Sequence, residues 1–242
     1  MKRFLSLFPA FAALAATPQL CAAIVTPNSY ELVEGPTNIS GPFQSPEITF
    51  QWLIAASEFS SLAPGTELTS IGFRLDADST NQPASDADFT DWQLMLSPSV
   101  NAIGALSATF ADNIASGAVT VRSGALHLDA ASLTGGAGPN PFFFVPFSLP
   151  YAYSGGDLLV TLTHTGSANG FSGNDAVQIA TVPGIADTVL QNSYNATTGT
   201  AHFYNVPITA FETGATVVPE PSTLLLAAVG LCLLGSIRRR PR

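Results

Sequence analysis

The densest set of side chains that could do chemistry lies in the segment LDADSTNQPASDADFTDW, which begins at Leu75. Calcium takes about six to eight oxygen ligands, and oxygen-rich loops of this kind supply them. The segment therefore predicts a calcium site, with a plain solvated acidic loop as the alternative. The predicted ligands are Asp76, Asp78, Asp86 and Asp88.

The spacing of these aspartates departs from an EF-hand loop. Asn81 stands where that loop has a glycine at its sixth position, and Ala87 stands where it has a glutamate at its twelfth. The predicted site is therefore an oxygen-rich loop that is not an EF-hand.

Other catalytic patterns are missing from the sequence. Between its two ends the chain has no cysteine, which excludes thiol nucleophiles and zinc ribbons there. The histidines, His127, His164 and His202, are far apart and belong to no HExxH zinc motif; we expect His164 and His202 at sheet rims. A G-x-S-x-G elbow, a phosphate-binding loop and a dinucleotide fingerprint are also missing. We therefore expect no enzymatic activity, and a secreted glycan hydrolase is the less favoured alternative.

Charge is distributed very unevenly along the 242 residues. The formal net charge is −9, and six of the eight basic residues lie at the two ends. Between Ile24 and Val218 there are two arginines, Arg74 and Arg122, against sixteen acidic residues, which gives −14. Such a body repels phosphate backbones, so nucleic acid is excluded as a partner. An acidic polysaccharide would need bridging divalent cations, whereas neutral sugars remain open as partners.

The N-terminus has the three parts of a secretory signal peptide. Lys2 and Arg3 are followed by the apolar run Phe4 to Ala16, and Cys21-Ala22-Ala23 places small residues at positions −3 and −1. Residues 1–23 are therefore predicted to be removed by signal peptidase after Ala23, once the chain is exported across the inner membrane.

The body, residues 24–210, is predicted to be all-β. Apolar residues alternate with period two in several short segments, and turns rich in glycine and proline separate them. This spacing is typical of an antiparallel sandwich, and the run from Phe142 to Phe147 is predicted to be a buried strand. The residues on the predicted inner faces are Ile48, Phe50, Trp52 and Ile54; Ile71, Phe73 and Leu75; Trp92, Leu94 and Leu96; Leu158, Val160 and Leu162; Val177 and Ile179; and Phe203.

The C-terminus has the composition of a membrane anchor behind a linker of residues 211–217. A transmembrane helix is predicted at about residues 222–237, where the fifteen residues from Thr223 to Ile237 carry no charge and would make a helix of roughly 22 Å. The arginines that follow predict a membrane stop that leaves the body on the outer side. The stop residues are Arg238, Arg239 and Arg240.

The last 25 residues, 218–242, resemble the PEP-CTERM sorting signal of Gram-negative bacteria. The resemblance rests on Val218-Pro219-Glu220-Pro221, the apolar helix and the arginine cluster, in that order. It implies that an exosortase recognises the motif, cuts near it, and passes the body to the cell surface or its exopolysaccharide. Before that step the precursor would be anchored in the membrane.

The segments LTSIGFRLDAD, DWQLMLS and NPFFFVPFSLPYAYSGGDLLVTL also resemble bodies often found ahead of PEP-CTERM tails. That resemblance implies a jelly-roll-like sandwich without an assigned activity. The expected function is a non-enzymatic surface or extracellular-matrix protein, associated with exopolysaccharide or biofilm. The alternative is a lectin-like carbohydrate-binding module, because sandwiches of this type often hold sugars.

Overall fold

The computed structural model describes residues 23–214 of the chain. Residues 1–22 of the predicted signal peptide and the C-terminal segment from residue 215 onward lie outside the described residues. Within residues 23–214, no helix has both the length and the apolar character needed to cross a bilayer.

Fifteen short strands account for the regular structure of the described part. They are β1 (Ile24–Thr26), β2 (Thr37–Ile39), β3 (Ile48–Ile54), β4 (Glu67–Phe73), β5 (Ala87–Phe89), β6 (Trp92–Pro98), β7 (Val119–Arg122), β8 (Leu126–Leu128), β9 (Phe143–Ala152), β10 (Leu158–His164), β11 (Asn174–Gln178), β12 (Ala186–Gln191), β13 (Thr200–Ala201), β14 (Asn205–Pro207) and β15 (Thr209–Thr213).

Five single-turn 3-10 helices connect some of these strands. They span Asn28–Tyr30, Gly41–Phe43, Ala56–Phe59, Phe110–Asn113 and Ile179–Thr181.

The strands form four antiparallel sheets. The largest has six strands in the order β13-β12-β3-β10-β6-β7, and the second has four in the order β1-β15-β4-β9. Two smaller sheets, β14-β11-β2 and β5-β8, complete the set. The predicted all-β antiparallel fold is confirmed, and its layout is sandwich-like because the two large sheets share one core.

Aromatic side chains from both large sheets meet in that core. Trp52 of the six-stranded sheet lies 6.4 Å, ring centroid to ring centroid, from Phe73 of the four-stranded sheet. Phe43, from the second 3-10 helix, packs edge-on against Phe73 at 5.3 Å. Aromatic pairs in this geometry add to the stabilisation that burial alone supplies.

The predicted inner faces of β3, β4, β6 and β10, with Leu75 just after β4, are confirmed, because every residue assigned to them is at most 2% exposed. Alternate residues of a strand point to opposite faces, so one face of each strand fills the core. Leu53 and Leu159 are outward positions that are nevertheless buried, since Leu106 and Phe110 of the 101–116 segment pack over them.

Three predicted details differ in the structure. The predicted strand from Phe142 to Phe147 corresponds to the start of β9, which begins at Phe143, but β9 is an edge strand and these phenylalanines are only partly buried. The strand predicted through Ile179 ends at Gln178, where a 3-10 helix begins, and Phe203 lies between strands.

The sandwich also extends past the predicted boundary at residue 210. β15 continues to Thr213 and pairs with β4 as far as Leu68, and Phe211 is fully buried. Residues 211–213, predicted from the sequence to belong to the linker, therefore belong to the four-stranded sheet.

Candidate functional site

A buried arginine organises the most highly charged interior site of the described residues. Arg74 follows β4 directly, and its side chain is 1% exposed. The guanidinium donates from Nε to Asp175 Oδ2 at 2.7 Å, and from Nη2 to the carbonyl oxygens of Val33 at 2.6 Å and Tyr30 at 3.0 Å. It also lies over the ring of Phe142, 5.1 Å from the ring centroid. One side chain thereby connects the four-stranded sheet to the segment before β2.

Asp175, on β11, is the partner of that arginine and is fully buried. Its Oδ1 accepts a hydrogen bond from the Gly35 backbone N–H at 3.0 Å. Position 35 must be glycine, because a Cβ there would lie 2.2 Å from the carbonyl oxygen of Ala176. Burial raises the pKa of Asp175 to about 6, although Arg74 acts to lower it. The pair is therefore ionised at neutral pH.

Two further carboxylates adjoin this pair. Oxygens of Glu34, Asp76 and Asp175 all lie within 4.8 Å of one another. Glu34 Oε1 accepts from the backbone N–H of Ala77 at 2.6 Å, while its Oε2 is buried without a hydrogen-bond partner in the described part. Burial raises the pKa of Glu34, so this carboxyl holds a proton more tightly than a free one. The cluster thus combines three acids with one guanidinium.

The structure separates the four aspartates predicted to bind calcium. Asp76 belongs to the cluster just described, and Asp78 follows it in a left-handed conformation with φ of 63°. Asp86 accepts from the backbone N–H of Ala130 at 2.8 Å, and Asp88 bonds His127 Nδ1 at 2.7 Å. The four do not form a common ligand set among the described residues.

The sequence did not predict the carboxylate cluster around Arg74, because its members are distant in sequence. Glu34 and Asp175 lie on opposite sides of the acidic segment, and neither belongs to a local motif. The signal that could have found them is Arg74 itself, since a lone arginine flanked by apolar strand residues needs a buried acid as partner.

The three histidines occupy separate environments. His164 is fully buried, where Nε2 donates to the carbonyl oxygen of Gly41 and Nδ1 accepts from the backbone N–H of Gly166, both at 3.0 Å. Burial lowers its pKa to about 4, so it is neutral and structural, not a polar rim residue. His127 lies between Asp88 and Asp129, and His202 contacts Asp187 at 2.9 Å.

Comparison with protein families concerns the C-terminal segment. A family model described as the PEP-CTERM protein-sorting motif matches residues 217–240. The chain carries a PEP-CTERM sorting motif. The matched segment includes the Pro-Glu-Pro element at 219–221 and the arginines at 238–240, and it lies outside the residues that the structure describes. No curated protein and no solved structure gave a significant match to the chain.

The PEP-CTERM motif identifies the chain as an exported protein that an exosortase sorts to the cell surface. The match covers 24 of the 242 residues, so it concerns delivery and leaves the sandwich to be interpreted from its own geometry.

Replacing Arg74 with methionine should lower the free energy of unfolding by about 3–5 kcal/mol, because Asp175 would remain buried without its partner. Arg122→Met is the matched control, since Arg122 is partly exposed and donates to one carbonyl oxygen; we expect a change below about 1 kcal/mol. Urea denaturation of the three proteins gives both numbers. Equal losses in the two variants would contradict the assigned role of Arg74.

The raised pKa of Asp175 also predicts how stability depends on pH. Its ordinary value is 3.8 and its value in the fold is about 6, so the folded state binds the proton more tightly than the unfolded state. The free energy of unfolding should therefore fall as the pH rises from about 4 to about 6. Denaturation at a series of pH values should show that the free energy of unfolding falls less steeply with pH in Asp175→Asn than in the unaltered protein. Parallel curves would contradict the assignment.

Proposed function

We propose that this protein is a non-enzymatic component of the cell surface or extracellular matrix, delivered by an exosortase and retained in the exopolysaccharide or biofilm. The observation that carries the proposal is the PEP-CTERM motif at residues 217–240. By its resemblance to such signals, the segment serves as an address that is read and cut, and the β-sandwich is the cargo.

The chemistry of the described residues supports a non-enzymatic role. Arg74, one of two basic residues in this part of the chain, is buried against Asp175, and His164 is held by backbone partners. His202 has a carboxylate partner in Asp187, but Asp187 also accepts from the backbone N–H groups of Gly104 and Leu106. These contacts fix loops to the sheet. Guanidinium, imidazole and carboxylate groups, which enzymes use in catalysis, therefore have structural roles here.

The proposed maturation has three steps. Signal peptidase removes residues 1–23 after Ala23, and the apolar run at 222–237 then holds the precursor in the membrane with Arg238 to Arg240 on the inner side. Exosortase next reads Val218 to Pro221, since proline disfavours the helical conformation at its own position and at the residue before it. Cleavage near this motif releases the folded body to the outside.

The mature product is expected to begin at Ile24 and to end near the Pro-Glu-Pro element. Intact-mass analysis of protein recovered from the cell surface tests both ends at once. Recovery of exported protein that still contains Arg238 to Arg242 would overturn the proposed processing.

Glu220→Gln should block the C-terminal cut while membrane insertion continues, because Glu220 offers the only carboxylate between the two prolines to a basic recognition pocket. Changing Arg238, Arg239 and Arg240 together to serine should instead impair retention or orientation before cutting. Fractionation and immunoblotting separate the two defects. Normal processing of the Glu220 variant would show that its carboxylate is not read.

A further inference from the structure

The outer face of the six-stranded sheet has a polar groove in its middle. Four adjacent strands present side chains there in register. Thr161 of β10 lies opposite Gln51 of β3 and Met95 of β6, and Met95 lies opposite Thr120 of β7. A second row, in the same register, joins Thr49, Thr163 and Gln93. Hydroxyl and amide groups thus cover four strands on the face opposite the core.

Two loop segments form the walls of this groove. Phe110 and Ile114, from the segment that covers Leu53 and Leu159, close one side, and Asn195 and Ala196 close another. The enclosed volume is about 210 Å³. Pockets that enclose drug-sized molecules begin at ~300 Å³, so this groove has room for a single sugar unit of a chain.

The floor of the groove is held rigidly by a buried amide. Gln51 is fully buried; its Nε2 donates to the Phe110 carbonyl oxygen at 3.1 Å and to Thr161 Oγ1 at 2.9 Å. Its Oε1 accepts from Asn113 Nδ2 at 3.0 Å. Because Gln51 makes these three bonds, both the floor and the wall at Phe110 keep their positions without a ligand, which reduces the entropy lost on binding.

Hydrogen-bonding capacity remains free inside the groove. Thr161 Oγ1 accepts a hydrogen bond from Gln51 Nε2, so its own O–H is left to donate to an acceptor in the groove. Thr120 is exposed and its hydroxyl has no bond to another described residue. Gln93 donates from Nε2 to Asp91 and Tyr194, and its carbonyl oxygen is left as an acceptor. Donors and acceptors that alternate over a short distance match the hydroxyl groups of a sugar ring.

The charge of the groove and its surroundings favours neutral sugars over anionic ones. None of the side chains that line the groove is acidic or basic, although the described part of the chain carries sixteen acidic residues and two arginines. The nearest carboxylate on this network is Asp91, which is bonded by Gln93 and by the hydroxyl of Tyr194. Burial acts to raise the pKa of Asp91, but these hydrogen bonds hold it below its usual range, so this carboxylate next to Gln93 is anionic at neutral pH. An anionic sugar would be repelled.

We propose that this groove, with Thr120, Thr161 and Gln93 as its polar contacts, binds a neutral hexose unit of a polysaccharide. The sugar hydroxyls bond to these three side chains, and the apolar face of the ring packs against Met95, Phe110 and Ile114. This site adds to the proposed function the class of polysaccharide and the surface that binds it. It rests on the proposed function, because delivery outside the cell is what brings the protein into contact with polysaccharide.

Native affinity electrophoresis tests the proposal with defined probes. The exported protein, or the full chain extracted in detergent where it is not released, is run through gels containing galactomannan, β-glucan, dextran or alginate. At least one of the three neutral polymers should retard it. The double variant Thr120→Val and Thr161→Val keeps the shape of both side chains and should raise the apparent Kd at least ~tenfold, since two hydrogen bonds are lost.

Thr181→Val is the matched control, because Thr181 is an exposed threonine outside the groove. This variant should bind the polymers as the unaltered protein does. If the double variant is unstable, Thr120→Val alone gives the same test with a smaller change. Retardation by alginate only, no retardation by any neutral polymer, or equal binding by the groove variant would each overturn the proposal. A protein that is sorted normally but binds no neutral polymer would refute only the sugar-binding groove. A protein that binds normally but is not sorted would refute only the proposed delivery.

Discussion

One buried ion pair fixes the three-stranded sheet and the chain before β2 against the four-stranded sheet of the sandwich. Arg74 follows a strand of the four-stranded sheet, and Asp175 lies on the central strand of the three-stranded sheet. Their backbones are joined as well, since the Asp175 N–H donates to the Arg74 carbonyl oxygen at 2.8 Å. The guanidinium also holds the carbonyl groups of Tyr30 and Val33, which keeps the chain before β2 against the fold. A buried charge without its partner is strongly unfavourable, so these elements are expected to form together.

The same two-residue alternation produces both the core and the groove. In β3, Phe50 and Trp52 point inward, whereas Thr49 and Gln51 point outward. β10 repeats this pattern with Leu162 inside and Thr161 outside. The outer face changes from apolar to polar along its strands. Leu53 and Leu159 are covered by Leu106 and Phe110, whereas Thr161 beyond them is partly exposed in the groove. The cover at one end of the face therefore forms a wall of the groove.

Alternation made the fold predictable from sequence, whereas the sites required the three-dimensional arrangement. Period-two patterns identified the inner faces of β3, β4, β6 and β10 correctly, because burial on one face is what the pattern records. The Arg74 site brings together Glu34 and Asp175, which are 141 positions apart, and no local spacing encodes that contact. Phe211 was missed for a related reason, since β15 is short and gains its burial from pairing with β4. The sorting motif was predictable because it is read as a linear segment.

The role assigned to the PEP-CTERM segment is to deliver the sandwich to the outside of the cell. Its most direct test is to express the unaltered chain in two hosts that differ only in the exosortase, and to quantify the body by immunoblot in membrane and extracellular polysaccharide fractions. With the enzyme present, the body should be shortened and recovered from the extracellular fraction. Without it, the longer precursor should stay with the membrane. A body of the same size and with the same distribution between the fractions in both hosts would contradict this role of the PEP-CTERM segment.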